Sequence, residues 1–202
     1  MKVVTGIFTT IGILAVLLLI FVLVGYLLFS LTPDMKSEIV TAQPSAEAAK
    51  SFNNKVTTFK SAITDAILAK QKIDVNLMLT EQEINSKVID MESEGNLPVR
   101  DMLLQLEENM IMTYFVLNYE GITARIGLMG RPVMVKDDIK MNVVKFELGK
   151  LPLPKSFTER ATDAINILIK TQNPLDDLPV IIKAIEVSRK QLIIRTTTVP
   201  GT

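Results

Sequence analysis

Cysteine, histidine and tryptophan do not occur among the 202 residues. Their absence excludes disulfides, thiol nucleophiles, Cys/His metal sites, imidazole acid–base chemistry and every His-containing triad. It also excludes a lipid-bearing cysteine anchor, and it leaves the redox compartment open, because a cysteine-free domain folds in either. Aromatic residues make up only 5%, so the core must be built from Leu, Ile, Val and Met. Neither sign of charge is in excess, with 22 basic against 22 acidic residues and no block of like charge. That balance lacks the electrostatic footprint of a nucleic-acid partner or of a polybasic lipid-binding patch.

What the chain does have is one long uncharged run, from Ile7 to Leu31. At about 1.5 Å per helical residue it spans roughly 37 Å, enough to cross a hydrocarbon core of ~30 Å with some tilt. The run exceeds the usual apolar core of a cleaved signal, and no small-x-small site follows it, so it is expected to stay as a signal-anchor. Lys2 lies on its N side, while Asp34, Lys36 and Glu38 lie on the other. The positive-inside rule then places the N-terminus in the cytoplasm and the rest outside. The expected organisation is a short tail and single-pass anchor over 1–31, a linker over 32–44 between Pro33 and Pro44, and an extracytoplasmic domain over 45–199.

Within that domain Ser45 reads as an N-cap for a helix running to about Lys70. Its apolar positions Phe52, Val56, Phe59, Ile63, Ala66 and Ile67 form one stripe. Ile73–Leu79 alternates as a strand and runs into Thr80-Glu81-Gln82-Glu83, a capping box for a short helix through Met91. Met102–Leu106, Met110–Asn118, Ile122–Val135 and Ile139–Leu148 read as an antiparallel meander. Tyr119-Glu120-Gly121 makes one of its turns, and Gly127 and Gly130 mark a bulge. A helix follows from Phe157 to Ile169, with Phe157, Ala161, Ala164, Ile165, Leu168 and Ile169 on its inner face. After a loop at Asn173-Pro174, Val180–Val187 and Leu192–Val199 form a hairpin. The expected fold is therefore α+β, one antiparallel sheet of meander plus hairpin packed against a long amphipathic helix and two shorter ones. A chain beginning near Gln43 is expected to fold alone, because this patterning lies downstream of it.

No catalytic motif emerges, and no cofactor is expected. Asp137-Asp138 and Asp176-Asp177 sit in predicted turns, where Asp is favoured for local hydrogen bonding. Gly127 and Gly130 fall inside a strand, which is not a nucleotide loop. Ser45 and Ser156 are explained as helix starts. Eight of the ten methionines fall between Met78 and Met141. Met is flexible and polarizable, suited both to irregular cores and to adaptable apolar surfaces. The candidate ligand surface is a groove lined by the stripe residues Phe52, Val56, Phe59 and Ile63 with Met78, Met102, Met112, Met129 and Met141. The plainer alternative for the methionines is core filling.

Two stretches carry a resemblance: the strand ending in LMLT with the following EQEIN, and Lys145-Phe-Glu-Leu-Gly-Lys-Leu-Pro-Leu-Pro154. Together with the element order over 45–199 they resemble the YpmS-like family of small bacterial membrane-anchored proteins of unknown function. The layout is also similar to tubular lipid-binding (TULIP) domains of the cell envelope. The resemblance implies a membrane-tethered, extracytoplasmic domain that binds lipid, and it carries over no site residue. Two expectations follow: a module binding lipid or another apolar ligand, and a structural or protein-interaction module with a closed core. A groove between the 45–70 helix and the sheet would favour the first, and a filled core the second.

Overall fold

The uncharged run becomes one helix, α1 (Lys2–Ser30). The computed structural model describes residues 2–95, 99–136, 138–171 and 178–199, with side chains from Ala15 onward. α1 is long and apolar enough to cross a membrane. Its large side chains from Val16 to Leu27 stand clear of the rest of the molecule.

The remaining elements are α2 (Met35–Glu38), α3 (Ala46–Leu68), β1 (Asp74–Thr80), α4 (Glu81–Ser93), β2 (Val99–Glu107) and β3 (Met110–Tyr119). They continue with β4 (Ile122–Val135), β5 (Asp138–Leu148), α5 (Lys155–Thr171), β6 (Val180–Ser188) and β7 (Gln191–Thr198). The class is α+β with antiparallel pairing throughout, as the element order predicts. The meander and the C-terminal hairpin, however, are two sheets and not one. β2-β3-β4-β5 forms the first, and β1-β7-β6 the second. β1 adds to β7 from Asp74 opposite Thr197 to Thr80 opposite Gln191, and β6 runs across the meander close to all four of its strands. The expected bulge lies between Met129 and Gly130. Asn109, Glu120 and Lys190 take positive φ at the hairpin turns. Asp137, Asp176, Asp177 and the Asn173-Pro174 loop lie outside the described residues.

Two cores result. In one, Phe59 and Ile63 of α3 close on Leu77 and Leu79 of β1, with Ile194 of β7 packed beside them. In the other, Met112, Tyr114 and Val116 of β3 are covered by Met35 and Ile39. The segment expected as a linker is thus a packed part of the domain. Met35 is 0% exposed, and its amide donates to Glu147 Oε2 at 2.9 Å. Further along, the Val40 amide donates to Gln105 Oε1 at 2.8 Å, and the Ser45 amide to Ser86 Oγ at 3.0 Å.

The end of α1 is held as firmly. The Lys150 amide donates to the Leu28 carbonyl at 2.7 Å, and Arg125 Nη1 to the Ser30 carbonyl at 2.7 Å. The Arg125 guanidinium thus sits where the helix dipole is negative. Gly149, at φ 57°, lies so close that a Cβ there would strike the carbonyls of Leu28 and Phe29. Lys150 Nζ also pairs with Asp34 at 2.8 Å, which holds the Asp34 carboxyl below the usual carboxylate range.

Helices close the sheet edges of the meander. On β2, Asn85 of α4 donates to the Leu104 carbonyl at 2.6 Å and accepts from the Leu104 amide at 2.9 Å. Glu81 accepts from the Leu106 amide and Glu92 from the Met102 amide. On β5, Asn166 of α5 donates to the Met141 carbonyl at 3.0 Å and accepts from the Met141 amide at 2.7 Å, and Thr162 accepts from the Val143 amide. These helices lie beside the sheet, so the faces they turn to it are partly polar. On α5 this corrects the expected inner face, since Phe157 and Leu168 stand exposed.

Candidate functional site

α3 begins where sequence placed it, with Ser45 Oγ accepting from the Ala48 amide at 3.1 Å. Its stripe turns toward β1 and β7. Phe59 is 4% exposed and Ile63 0%, while Phe52 and Val56 are half-buried at the margin of the same core. The stripe is therefore occupied by protein.

Of the five methionines Met78 alone comes near it, lining with Phe59 the groove between α3 and β1. Met112 and Met129 face each other across β3 and β4, in the core closed by Met35 and Ile39. Met141 lies on β5 beside Gly130, where a Cβ would meet its sulfur. Met102 is half-buried on β2. Met78, 47% exposed, is on β1, next to Leu77 and Leu79, which face α3. A single groove containing all nine residues is not formed. The reason is the division into two sheets, which sends Met78 to one and the other four to the second.

The thermodynamic joint between α3, β1 and α4 is Glu83. The capping box is complete, with Thr80 Oγ1 accepting from the Glu83 amide and Glu83 Oε2 accepting from the Thr80 amide. The same carboxylate accepts from Ser51 Oγ at 2.6 Å and pairs with Lys55 at 2.8 Å. Burial alone would push this carboxyl up, but the bonds from Lys55, Ser51 and the Thr80 amide outweigh it and hold it at about 2. Every strong contact of Glu83 is structural.

Beside the closed stripe runs an open groove of about 390 Å³ between α3 and β1. Asn54, Thr58, Phe59 and Ala62 line one wall and residues 75–78 the other. β1 is an edge strand, and the ladder fixes which of its groups face outward. Thr198 donates to the Ile73 carbonyl and Glu81 to the Lys190 carbonyl. Odd-numbered residues therefore bond to β7, and the N–H and C=O groups of Asp74, Asn76 and Met78 point away from it. Thr80, next in that series, has its amide taken by Glu83. Among the described residues no hydrogen bond reaches the outward groups of the other three. Asn54, Thr58, Ala62 and Asn76 were not singled out by sequence, since they lie off the apolar stripe. Only the period-two pattern of β1, joined to its place at an edge, could have found them.

No protein-family model, curated protein or solved structure matches this chain.

Proposed function

We propose that this chain is a membrane-anchored, non-enzymatic interaction module held outside the cytoplasm. The observation that carries this reading is the closure of the α3 stripe, with Phe59 and Ile63 buried on Leu77 and Leu79. Phe59 and Leu77 reach the margin of the groove beside α3 but stay buried, and Ile63 and Leu79 do not line it, so the stripe does not present an acyl-binding wall. The two stretches that resemble the YpmS-like family also serve as joints. Thr80–Glu83 ties α4 to α3, and the segment from Lys145 to Lys150 grips α1 and α2. We infer that what the family resemblance preserves is this framework, with the lipid-binding reading as the competitor.

Replacing Phe59 with Asp separates the two. A carboxylate in a filled core lacks partners and costs several kcal/mol, a large part of the stability of a domain this size. The expected result is loss of the thermal transition, read by circular dichroism on the purified full chain. A variant that melts like the parent while losing co-purified lipid would instead establish an open acyl groove.

A further inference from the structure

We propose that the free edge of β1 is a docking site for an extended segment of a partner protein, added as a fourth strand to the β1-β7-β6 sheet. This deepens the interaction-module reading and rests on it.

The argument is a contrast between edges. β2 is closed by Glu81, Asn85 and Glu92, and β5 by Thr162 and Asn166, so that the outward backbone groups they reach are bonded. At the third edge, β6 lies against the meander, and its Val187 carbonyl accepts from the Asn109 amide at 2.8 Å. β6 keeps Ile182 and Ile185 without such bonds but runs across the meander, whereas β1 keeps three adjacent outward residues, Asp74, Asn76 and Met78, without them among the described residues and lies against no other sheet. Exposed edges are usually blunted by Lys, Pro, a bulge or a covering element. β1 has regular register and no Lys, Pro or bulge, and its one charge, Asp74, accepts a hydrogen bond from Thr197. A row of alternating N–H and C=O groups recognises an extended backbone and little else.

The groove selects among extended backbones. A strand paired to β1 directs alternate side chains toward α3, into the 390 Å³ space beside Phe59 and Ala62. Lys55 on that rim is neutralised by Glu83, so uncharged, apolar side chains fit best. A second copy of this chain does not supply them. Its Val75 and Leu77 are already packed under its own α3 and would leave the space empty. The occupant is therefore a foreign segment of about five residues or more, apolar at every second position.

The test pans a phage library of random octapeptides against the full chain in nanodiscs, with empty nanodiscs as the counter-selection. Enriched peptides should be apolar at alternate positions. N-methylation at alternate backbone amides should weaken one set about tenfold or more and spare the other, since each lost edge bond is replaced by a clash. On the protein side, Asn76→Pro removes one outward N–H without touching the β7 ladder, a substitution edge strands accept. It should melt within a few degrees of the parent and bind the same peptides about tenfold more weakly. Absence of enrichment, or peptides indifferent to both changes, would overturn the strand site. The chain has no native cysteine, so Asn76→Cys reports on self-pairing directly. Efficient disulfide dimers in the membrane would seat a second copy on the edge and overturn the foreign-segment assignment. Any of these failures leaves the module reading standing, because that reading falls on a separate result, a Phe59→Asp variant that melts like the parent while losing co-purified lipid.

Discussion

Glu83 concentrates more of the fold's polar bonding than any other side chain described above. It caps α4, fixes Ser51 and Lys55 of α3, and is almost wholly removed from water. Its carboxyl is lowered from an ordinary 4.5 to about 2. A depressed carboxyl stabilises the fold above its unfolded value, and that stabilisation is lost as pH falls from about 4.5 toward 2. Glu83→Gln keeps the shape and removes the charge. At pH 7 it should be less stable by about 2 kcal/mol, the scale of one cap and one charged bond. The gap should narrow steadily below pH 4.5. Urea melts of both proteins at pH 7 and pH 3 decide it, and an equal gap at the two pH values would show that another group carries the acid sensitivity.

At the scale of elements, the segment from Leu31 to Pro44 behaves as a strap across the meander. Met35 and Ile39 cover Tyr114, Met112 and Val116, so a chain beginning at Gln43 loses the lid of one core. Leaving a Met and an Ile site unfilled costs about 2–5 kcal/mol each where the site cannot collapse. Such a shortened chain should bind a hydrophobic dye and exchange the amides of β3 much faster than the full chain. Protection of β3 equal to that of the full chain would mean that the strap is dispensable. This strap was hidden in the sequence because two apolar residues four apart, between prolines, carry no period long enough to read. Strand positions, the Ser45 cap and the Thr80–Glu83 box were legible because each is written in adjacent residues. The pairing of β1 with β7 was not, since Asp74 and Thr197 are joined by nothing local. The polar Asn85 and Asn166 looked like surface residues for a related reason: closing a strand edge demands groups that also suit water.

For the whole molecule, the α1 helix and the folded part are in register through Arg125, Gly149 and Lys150. We infer from Lys2, on the far side of the uncharged run, that this folded part lies outside the cytoplasm. Alkaline phosphatase fused after Thr202 should be active in a bacterial host, whereas activity from a cytoplasmic reporter alone would invert the arrangement.

The grip of Gly149 and Lys150 on the end of α1 also sets a geometry for encounters. Thirteen loose residues would let a domain roam about 20 Å around its anchor. Bolted to the helix, it has a fixed height and bearing, and a turn of α1 about its own axis sweeps the β1 edge through an arc. A partner of the kind proposed for that edge would have to arrive at that elevation and from that side, so that the membrane plane itself would take part in the selection.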